Sequence, residues 1–208
     1  ADPAQFDVPE ALSIRAGREE IGKALLRYDE KNLYVAWLVL DTTPWVNRGN
    51  TSVLAFKTGD SVNLFVAEDK KWGDKEVAGT RVLLAALQGK PVAMVYKPQG
   101  PGNKPYTFKS PVRPSAFKYA SEEPAIKFEA VPGKNQYVVT ATIPWSILGV
   151  TPKAGLKLKG DVGILFGTEA GDWTGQRVQW VDKETNVVND EPTEAEFFPA
   201  KWGTFEVK

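Results

Sequence analysis

Residues 25–40 read LLRYDEKNLYVAWLVL, and this stretch decides the fold class. Its first four residues favour a strand, and residues 29–32 are polar residues typical of a tight turn. Residues 33–40 are apolar at odd and even positions alike. A strand that is apolar on both faces is expected in the middle of a sheet that is covered on both sides. The stretch therefore predicts a β-hairpin with one strand deep inside the protein.

Similar β-rich runs closed by turn residues recur along the chain. Residues 61–66 alternate in polarity, which predicts a strand with Val62, Leu64 and Val66 facing inward. By the same criteria, further strands are predicted at residues 81–87, 91–96, 125–131, 136–143, 156–158, 162–166, 177–181 and 204–207.

Two segments are predicted to be irregular or helical. Residues 97–115 contain five prolines and are expected to form a long loop. Residues 144–149 read PWSILG, which predicts one helical turn ended by Gly149. Roughly nine to eleven strands without a long amphipathic helix predict an all-β fold, an antiparallel β-sandwich of jelly-roll or immunoglobulin-like type. We expect a single domain over residues 1–208.

The composition excludes several classes of active site and partner. The 208 residues contain no Cys and no His, which excludes disulfides, Cys nucleophiles, Ser-His-Asp catalysis and metal sites built on those ligands. Lys plus Arg and Asp plus Glu both total 26. A chain without a basic surplus is not expected to bind nucleic acid. No apolar run reaches the ~20 residues needed to span a bilayer.

The seven Trp residues separate into loop and strand positions. Trp45 and Trp173 stand in polar loops that contain Gly or Pro, where each is either an exposed platform for a ligand or a lid over the end of the sandwich. Trp37 and Trp180 stand on apolar strands and are expected in the core, whereas Trp72 is expected to staple a turn.

Three polar residues on predicted strands are further candidates for ligand contacts. Arg81, Gln176 and Arg177 form either a solvated face or a polar floor that recognises hydroxyl or carboxylate groups. Arg177 and Gln179 share one strand face, opposite Val178 and Trp180.

Two more groups of residues are weaker candidates. Carboxylate oxygens suit calcium, and the candidates for a structural calcium site are Asp41, Asp60, Glu169 and Asp172, although ordinary turn and strand-end carboxylates are the default interpretation. Three aromatic residues flank the Pro-rich loop and could form a second platform, namely Tyr96, Tyr106 and Phe108.

Five segments in order resemble the family 9 carbohydrate-binding modules and the broader DOMON-like β-sandwiches. They are YDEKNLYV at 28–35, GDSVNLF at 59–65, IPWSIL at 143–148, GQRV at 175–178 followed by Trp180, and WGTF at 202–205. The resemblance implies a sandwich in which two Trp rings enclose a terminal sugar while polar groups below them read its hydroxyls.

Carried over by position, the resemblance assigns the polar contacts to Asn63, where the family often has Glu, and to Arg81. The two enclosing Trp would fall near Lys57 and Glu196, and neither is aromatic. We therefore expect Trp45 and Trp173 to replace that pair, with Gln176 and Arg177 as additional contacts.

The resemblance favours one function and leaves others open. We expect a non-catalytic module that binds a polysaccharide or oligosaccharide, carried by a larger secreted or periplasmic bacterial protein, with no required cofactor. A haem-binding DOMON-like domain is an alternative, with Met94 and a lysine such as Lys109 as axial ligands. A domain that serves only as a structural accessory is another. A glycoside hydrolase or lyase would need paired carboxylates, and no Asp or Glu stands in a recognisable catalytic setting.

Overall fold

The computed structural model describes residues 2–99, 104–109, 114–153, 155–183 and 197–207. Two antiparallel sheets face each other, as expected for a β-sandwich. The first sheet has five strands, in spatial order β1 (Leu12–Ala16), β2 (Glu19–Tyr28), β3 (Asn32–Leu40), β11 (Gln136–Pro144) and β10 (Lys127–Gly133). The predicted hairpin is confirmed as β2 and β3, and β3 is the central strand of this sheet.

The second sheet is larger. Its spatial order is β13 (Thr174–Gln179), β12 (Leu156–Gly167), β4 (Ser61–Glu68), β5 (Thr80–Leu87), β6 (Lys90–Lys97) and β9 (Tyr119–Glu122), and β14 (Gly203–Val207) also pairs with β12. A separate two-stranded ribbon consists of β7 (Tyr106–Phe108) and β8 (Ser115–Phe117).

The main core lies between the two sheets. Its members alternate along each strand, so that Val35, Trp37 and Val39 of β3 meet Val62 and Leu64 of β4. Trp37 is fully buried, as predicted. Because an indole buries about 200 Å² at roughly 25 cal/mol per Å², such a side chain contributes on the order of 5 kcal/mol to folding.

A second layer covers the outer face of the larger sheet. The turn of 3-10 helix at Ser52–Lys57 and the β7–β8 ribbon pack there, together with residues near the chain's end. This second cluster is strongly aromatic, with Phe56, Phe65, Tyr96, Phe108, Phe117, Phe197 and Trp202. The larger sheet is therefore covered on both faces, and polar side chains on its outer face are buried beneath the second layer.

The predicted helical turn is confirmed as α1 (Trp145–Leu148), which ends at Gly149 with a φ of 71°. Its first residue fastens α1 to the turn between β2 and β3, because Trp145 Nε1 donates to the carbonyl of Asp29 at 2.9 Å. None of the helices that the structure describes is long and apolar enough to cross a membrane.

Three local predictions were wrong. Residues 156–166 do not form two strands broken near Gly160 but belong to one continuous strand, β12. The ring of Phe205 lies against Gly160, and a Cβ there would overlap it, so this glycine serves close packing within the strand. The Pro-rich segment is not wholly irregular, since it contains β7 and ends at the first residue of β8. The predictions also omitted β1 and β9.

Candidate functional site

A group of buried polar side chains lies on the outer face of the larger sheet. Its members come from β4, β5 and β13, where alternation places them opposite the residues that fill the main core. We call this group the polar floor; it consists of Ser61, Asn63, Arg81, Arg177 and Gln179. Each member is at most 6% exposed. Arg177 and Gln179 share this face, as predicted, while Val178 joins the main core.

Strand register brings the three uncharged members close together. Asn63 pairs with Gly163 of β12, and Gly163 pairs with Gln179 of β13. Two residues away along the same strands, Ser61 pairs with Leu165, and Leu165 pairs with Arg177. Asn63 and Gln179 thus stand on either side of Gly163, two strand spacings of roughly 4.8 Å apart, with Ser61 two residues along β4.

Several polar atoms of the floor have no hydrogen-bond partner within the described protein. They are both amide atoms of Asn63, the Ser61 hydroxyl and the Gln179 Oε1. A buried polar atom left without a hydrogen bond costs about 1–3 kcal/mol, so such atoms are uncommon outside functional sites. Four of them on one sheet face are the most unusual feature of the described structure.

Arg81 is held by aromatic rings. Its guanidinium carbon lies 5.2 Å from the ring centroids of Phe56 and Phe65 and 5.7 Å from that of Tyr96. Cation–π contacts of this kind are strengthened when the cation is removed from water. Tyr96 in turn donates its hydroxyl to the carbonyl of Val53, which fastens the covering turn to the sheet. Burial raises the pKa of the Tyr96 hydroxyl.

Arg177 connects β13 with the covering turn. Its two terminal nitrogens donate to the carbonyls of Thr174 and Phe56, each at 3.3 Å. Gln176, its neighbour in sequence, points to the other face of the sheet and is exposed. The structure thus brings Asn63, Arg81 and Arg177 together and leaves Gln176 outside this group.

The loops that carry Trp45 and Trp173 meet at the end of the sandwich where β4 begins. The N–H of Arg48 donates to the carbonyl of Gly171 at 2.7 Å. A side chain at Gly171 would collide with Val46, so the absence of a Cβ there allows the loops to approach closely. The two loops therefore lie side by side.

The two loop Trp residues differ in exposure. Trp173 is 57% exposed and stands immediately before β13. Trp45 is only partly exposed, because its ring packs edge-on against the ring of Tyr137, with 4.9 Å between the ring centroids, and contacts the main core. Its indole nitrogen is buried. Trp173 is therefore exposed as a platform for a ligand would be, whereas Trp45 packs like a lid over the end of the sandwich.

The remaining aromatic candidates have structural positions. The prediction that Tyr96 and Phe108 belong to an exposed second platform is wrong, because both side chains are buried in the second cluster. Trp72 staples its turn as predicted, donating to the carbonyl of Glu68 at 2.8 Å with Lys70 over its ring. Trp180 stacks on Phe205 at the edge of the core. Met94 is also buried in the second cluster.

The four calcium candidates do not converge within the described residues, where no group of three or more carboxylates is found. Asp60 accepts from the N–H groups of Val46 at 2.9 Å and Gly167 at 2.6 Å. Asp41 accepts from Thr43, and Asp172 from the Thr168 hydroxyl. Glu169 is exposed. These contacts are those of turn and strand-end carboxylates.

Two buried carboxyl groups have raised pKa values. Desolvation by burial raises the pKa of Asp60 to about 6, against the opposing effect of the backbone N–H groups that it accepts from. Burial likewise raises the pKa of Asp161 to about 6, although Asp161 accepts from the N–H groups of Val162, Val181 and Asp182. Asp60 thus ties the Trp45 loop to the end of β12, and Asp161 ties residues 181–182 to the middle of β12.

Ser61, Gly163 and Gln179 are not among the site residues expected from the sequence. A signal for two of them was present: Ser61 has the parity of Asn63 on β4, and Gln179 has the parity of Arg177 on β13. Nothing in the sequence indicates that Gly163 lies between Asn63 and Gln179, because the register between three separate strands depends on the tertiary fold.

Solved structures with the same fold include carbohydrate-binding modules. Two are a family 9 carbohydrate-binding module from Caldicellulosiruptor kristjanssonii, in complex with glucose (TM-score 0.54, 14% identity) and with cellotriose (TM-score 0.55, 15% identity). Both cover 100% of this chain, which covers 88% and 86% of those chains. A candidate carbohydrate-binding protein from Bacteroides uniformis matches with a TM-score of 0.53 and 11% identity, over 96% of this chain and 85% of its own.

The chain therefore has the fold of the family 9 carbohydrate-binding modules. No protein-family model matches the sequence, and no curated protein matches it either.

Proposed function

We propose that this chain is a non-catalytic carbohydrate-binding module that holds a sugar on the outer face of its larger sheet. The observation that carries the proposal is the polar floor, whose uncharged members have buried atoms without hydrogen-bond partners in the described protein. Sugar hydroxyls both donate and accept hydrogen bonds, which is what amide and hydroxyl side chains in a desolvated site require. The shared fold with sugar-bound modules agrees with this assignment.

Trp173 supplies the apolar surface of the proposed site. Its exposed indole precedes the strand that carries Arg177 and Gln179, at the same end of the sheet as Ser61. A pyranose presents C–H groups on its faces, and these pack against an aromatic ring while the hydroxyls at its rim reach polar groups. Trp45 packs on Tyr137 rather than contacting the sugar, while its neighbours Val46 and Arg48 lie against the Trp173 loop at Gly171.

Access to the floor requires movement of its cover. Asn63 and Ser61 are fully buried, beneath a second layer that includes Phe56 and the covering turn at Ser52–Lys57. Binding that depends on a conformational change associates more slowly than rigid docking, below the usual ~10⁵ M⁻¹s⁻¹. We therefore expect stopped-flow traces of Trp fluorescence to show slow association.

The wider setting is also part of the proposal. We place the module outside the cytoplasm, attached to a larger polysaccharide-processing protein, and without a required metal or cofactor. In that setting, the module would keep its parent protein close to an insoluble or polymeric substrate.

A glycan array on the whole chain, followed by isothermal titration with each glycan that binds, tests the function. We expect binding that Asn63→Ala abolishes and that Thr140→Ala leaves unchanged, since Thr140 lies on the first sheet, outside the floor. Absence of binding to every glycan at millimolar concentration would overturn the proposal.

A further inference from the structure

We infer that residues 48–58 form a hinged flap over the polar floor, and that Tyr96 and Arg177 hold this flap shut. The flap includes the covering turn at Ser52–Lys57. The inference rests on the proposed function for the ligand that an open flap admits, whereas the opening itself needs no ligand. It gives Tyr96, a residue outside the floor, control over the rate of access to the site.

The flap begins and ends at one point of the larger sheet. Asn47 and Gly59, which flank it, form an antiparallel bridge with each other. The carbonyl of Asn47 accepts from the N–H of Gln88 at 2.7 Å, and the N–H of Gly59 donates to the Thr174 hydroxyl at 3.2 Å. A loop whose two ends are adjacent and fixed can move as one body without disturbing the strands beneath it.

The side chain of Asn47 braces the flap from within. Its Oδ1 accepts from the Thr58 hydroxyl at 2.9 Å and from the Gly49 N–H at 3.2 Å, and its Nδ2 donates to the carbonyl of Ala55 at 2.7 Å. Asn47 is buried, so water does not compete for these hydrogen bonds. Because they join the flap to its own base, they can persist while the flap swings away from the floor.

The middle of the flap is fastened to the sheet by side chains. Tyr96 of β6 donates to the carbonyl of Val53 at 3.1 Å, and Arg177 of β13 donates to the carbonyl of Phe56 at 3.3 Å. In the described part of the chain, no backbone hydrogen bond joins residues 52–57 to a strand of this sheet. Opening therefore breaks two side-chain hydrogen bonds and leaves every strand pairing intact.

The two fastenings lie on opposite sides of the floor. In the strand order of the larger sheet, β13 lies to one side of β4 and β6 lies to the other. The flap therefore spans β4, which carries Ser61 and Asn63. Releasing the fastenings uncovers the strand that the proposed ligand needs to reach.

Burial of Phe56 keeps the flap mainly closed. Its ring is fully buried and packs edge-on against Tyr96 and Phe108. Opening exposes this ring to water, so the open form is a minor population at equilibrium. A ligand that binds only the open form then associates slowly, as we expect for this protein.

The absence of Cys from the sequence makes thiol labelling a direct measure of opening. Ser61→Cys places one thiol beneath the flap, and Val62→Cys places one in the main core, on the opposite face of the same strand. We expect iodoacetamide to label Ser61→Cys at least tenfold faster than Val62→Cys, as measured by mass spectrometry, because Val62 is reached only when the two sheets separate. Equal rates overturn the inference, whatever the protein binds.

A second probe serves if Ser61→Cys does not fold. Ala85 of β5 is buried in the same aromatic cluster as Phe56. Ala85→Cys should therefore also be labelled at least tenfold faster than Val62→Cys, and equal rates there would have the same meaning.

Tyr96→Phe tests the fastening. The change removes the hydroxyl that donates to Val53 and keeps the ring that packs on Phe56. We expect labelling of Ser61→Cys to accelerate about two- to tenfold, the factor for the loss of one hydrogen bond, and labelling of Val62→Cys to stay constant. Tyr96 gives a sharper test than Arg177, because Arg177 is also a member of the polar floor.

Tyr106→Phe on β7 is the matched control. Tyr106 packs against the same aromatic cluster, and within the described residues it does not donate to a carbonyl of the flap. Its removal should leave the labelling of Ser61→Cys unchanged. No acceleration in Tyr96→Phe, or equal acceleration at Val62→Cys, would overturn the assignment of Tyr96, since the second result indicates a general loss of stability.

The inference and the proposed function fail in different ways. For the arrayed glycan that binds most tightly, stopped-flow fluorescence should show that Tyr96→Phe raises the association rate constant by the same factor as the labelling rate. An unchanged association rate would overturn the control of access by the flap and leave carbohydrate binding standing. Fast labelling beneath the flap without binding of any glycan at millimolar concentration would overturn the proposed function and leave the flap standing.

Discussion

Asp60 accepts the backbone N–H of Gly167 at 2.6 Å, and this hydrogen bond joins the start of β4 to the end of β12. Its second oxygen accepts from Val46 at 2.9 Å, so one carboxylate fastens the Trp45 loop to two strands of the larger sheet. Asp60 is therefore a buried acceptor shared by the Trp45 loop and two strands of the larger sheet.

Replacement of Asp60 by Ala is expected to destabilise the protein. Ala has no side-chain acceptor, so the N–H groups of Val46 and Gly167 would both lose their partner, at a cost of about 1–3 kcal/mol each. Urea unfolding at pH 5, below the raised pKa of Asp60, measures this difference in the free energy of unfolding. Asp172→Ala is the matched control, since Asp172 is exposed and accepts from a hydroxyl; its change should stay within about 0.5 kcal/mol. Equal effects in the two variants would contradict this account.

The raised pKa values of Asp60 and Asp161 predict a specific pH dependence. Each pKa is about 6 in the folded protein against 3.8 for an ordinary Asp, so the folded state holds protons that the unfolded chain releases. Their contribution to stability is complete below pH 4 and is lost as the pH rises through about 6. The loss is about 3 kcal/mol per carboxyl group.

Urea unfolding of the wild type and Asp161→Asn between pH 4 and pH 7 checks this pH dependence. Relative to the variant, the wild type should lose stability as the pH rises, because only the wild type carries the Asp161 carboxyl group. A difference that stays constant or grows with pH would show that burial does not raise this pKa.

Asn63→Leu is expected to separate stability from binding. Leu has a similar volume and removes two buried polar atoms that have no hydrogen-bond partner in the described protein, which should raise the free energy of unfolding by about 1–3 kcal/mol. The same change should abolish glycan binding. Thermal unfolding and titration on the same preparation measure both effects, and a large loss of stability would indicate that Asn63 has only a structural role.

Trp173→Ala and Trp45→Ala should have opposite signatures. Trp173 is mostly exposed, so its removal should abolish binding and change the free energy of unfolding by less than about 0.5 kcal/mol. Trp45 packs on Tyr137 and the core, so its removal should cost about 3 kcal/mol or more. Chemical unfolding and affinity electrophoresis of both variants distinguish the two roles. Undiminished binding by Trp173→Ala would remove this residue from the site.

Much of the fold could be predicted from residue patterns because those patterns act locally. The run at residues 33–40 is apolar at every position, and it became the central strand β3. Alternation on β13 correctly placed Arg177 and Gln179 on one face. By contrast, Gly160 was read as a break, since the sequence does not show that the Phe205 ring lies against it.

The candidate site was less predictable, because burial depends on what packs over a strand. Tyr96 and Phe108 flank a Pro-rich segment and looked exposed, yet the covering layer buries both. Trp45 and Trp173 stand in similar loops, but only Trp45 lies above Tyr137. Local composition does not distinguish such positions, since contacts between distant segments decide their exposure.

By itself, the sequence determined the β-sandwich, the central hairpin and the absence of His- or Cys-based chemistry, because alternation and residue type act within a few positions of the chain. Only the tertiary structure decided that Gln179 lies across Gly163 from Asn63, with Ser61 two residues along β4, beneath an aromatic layer. The register of three strands that are far apart in sequence is set by packing across the whole sheet, and that packing creates the polar floor.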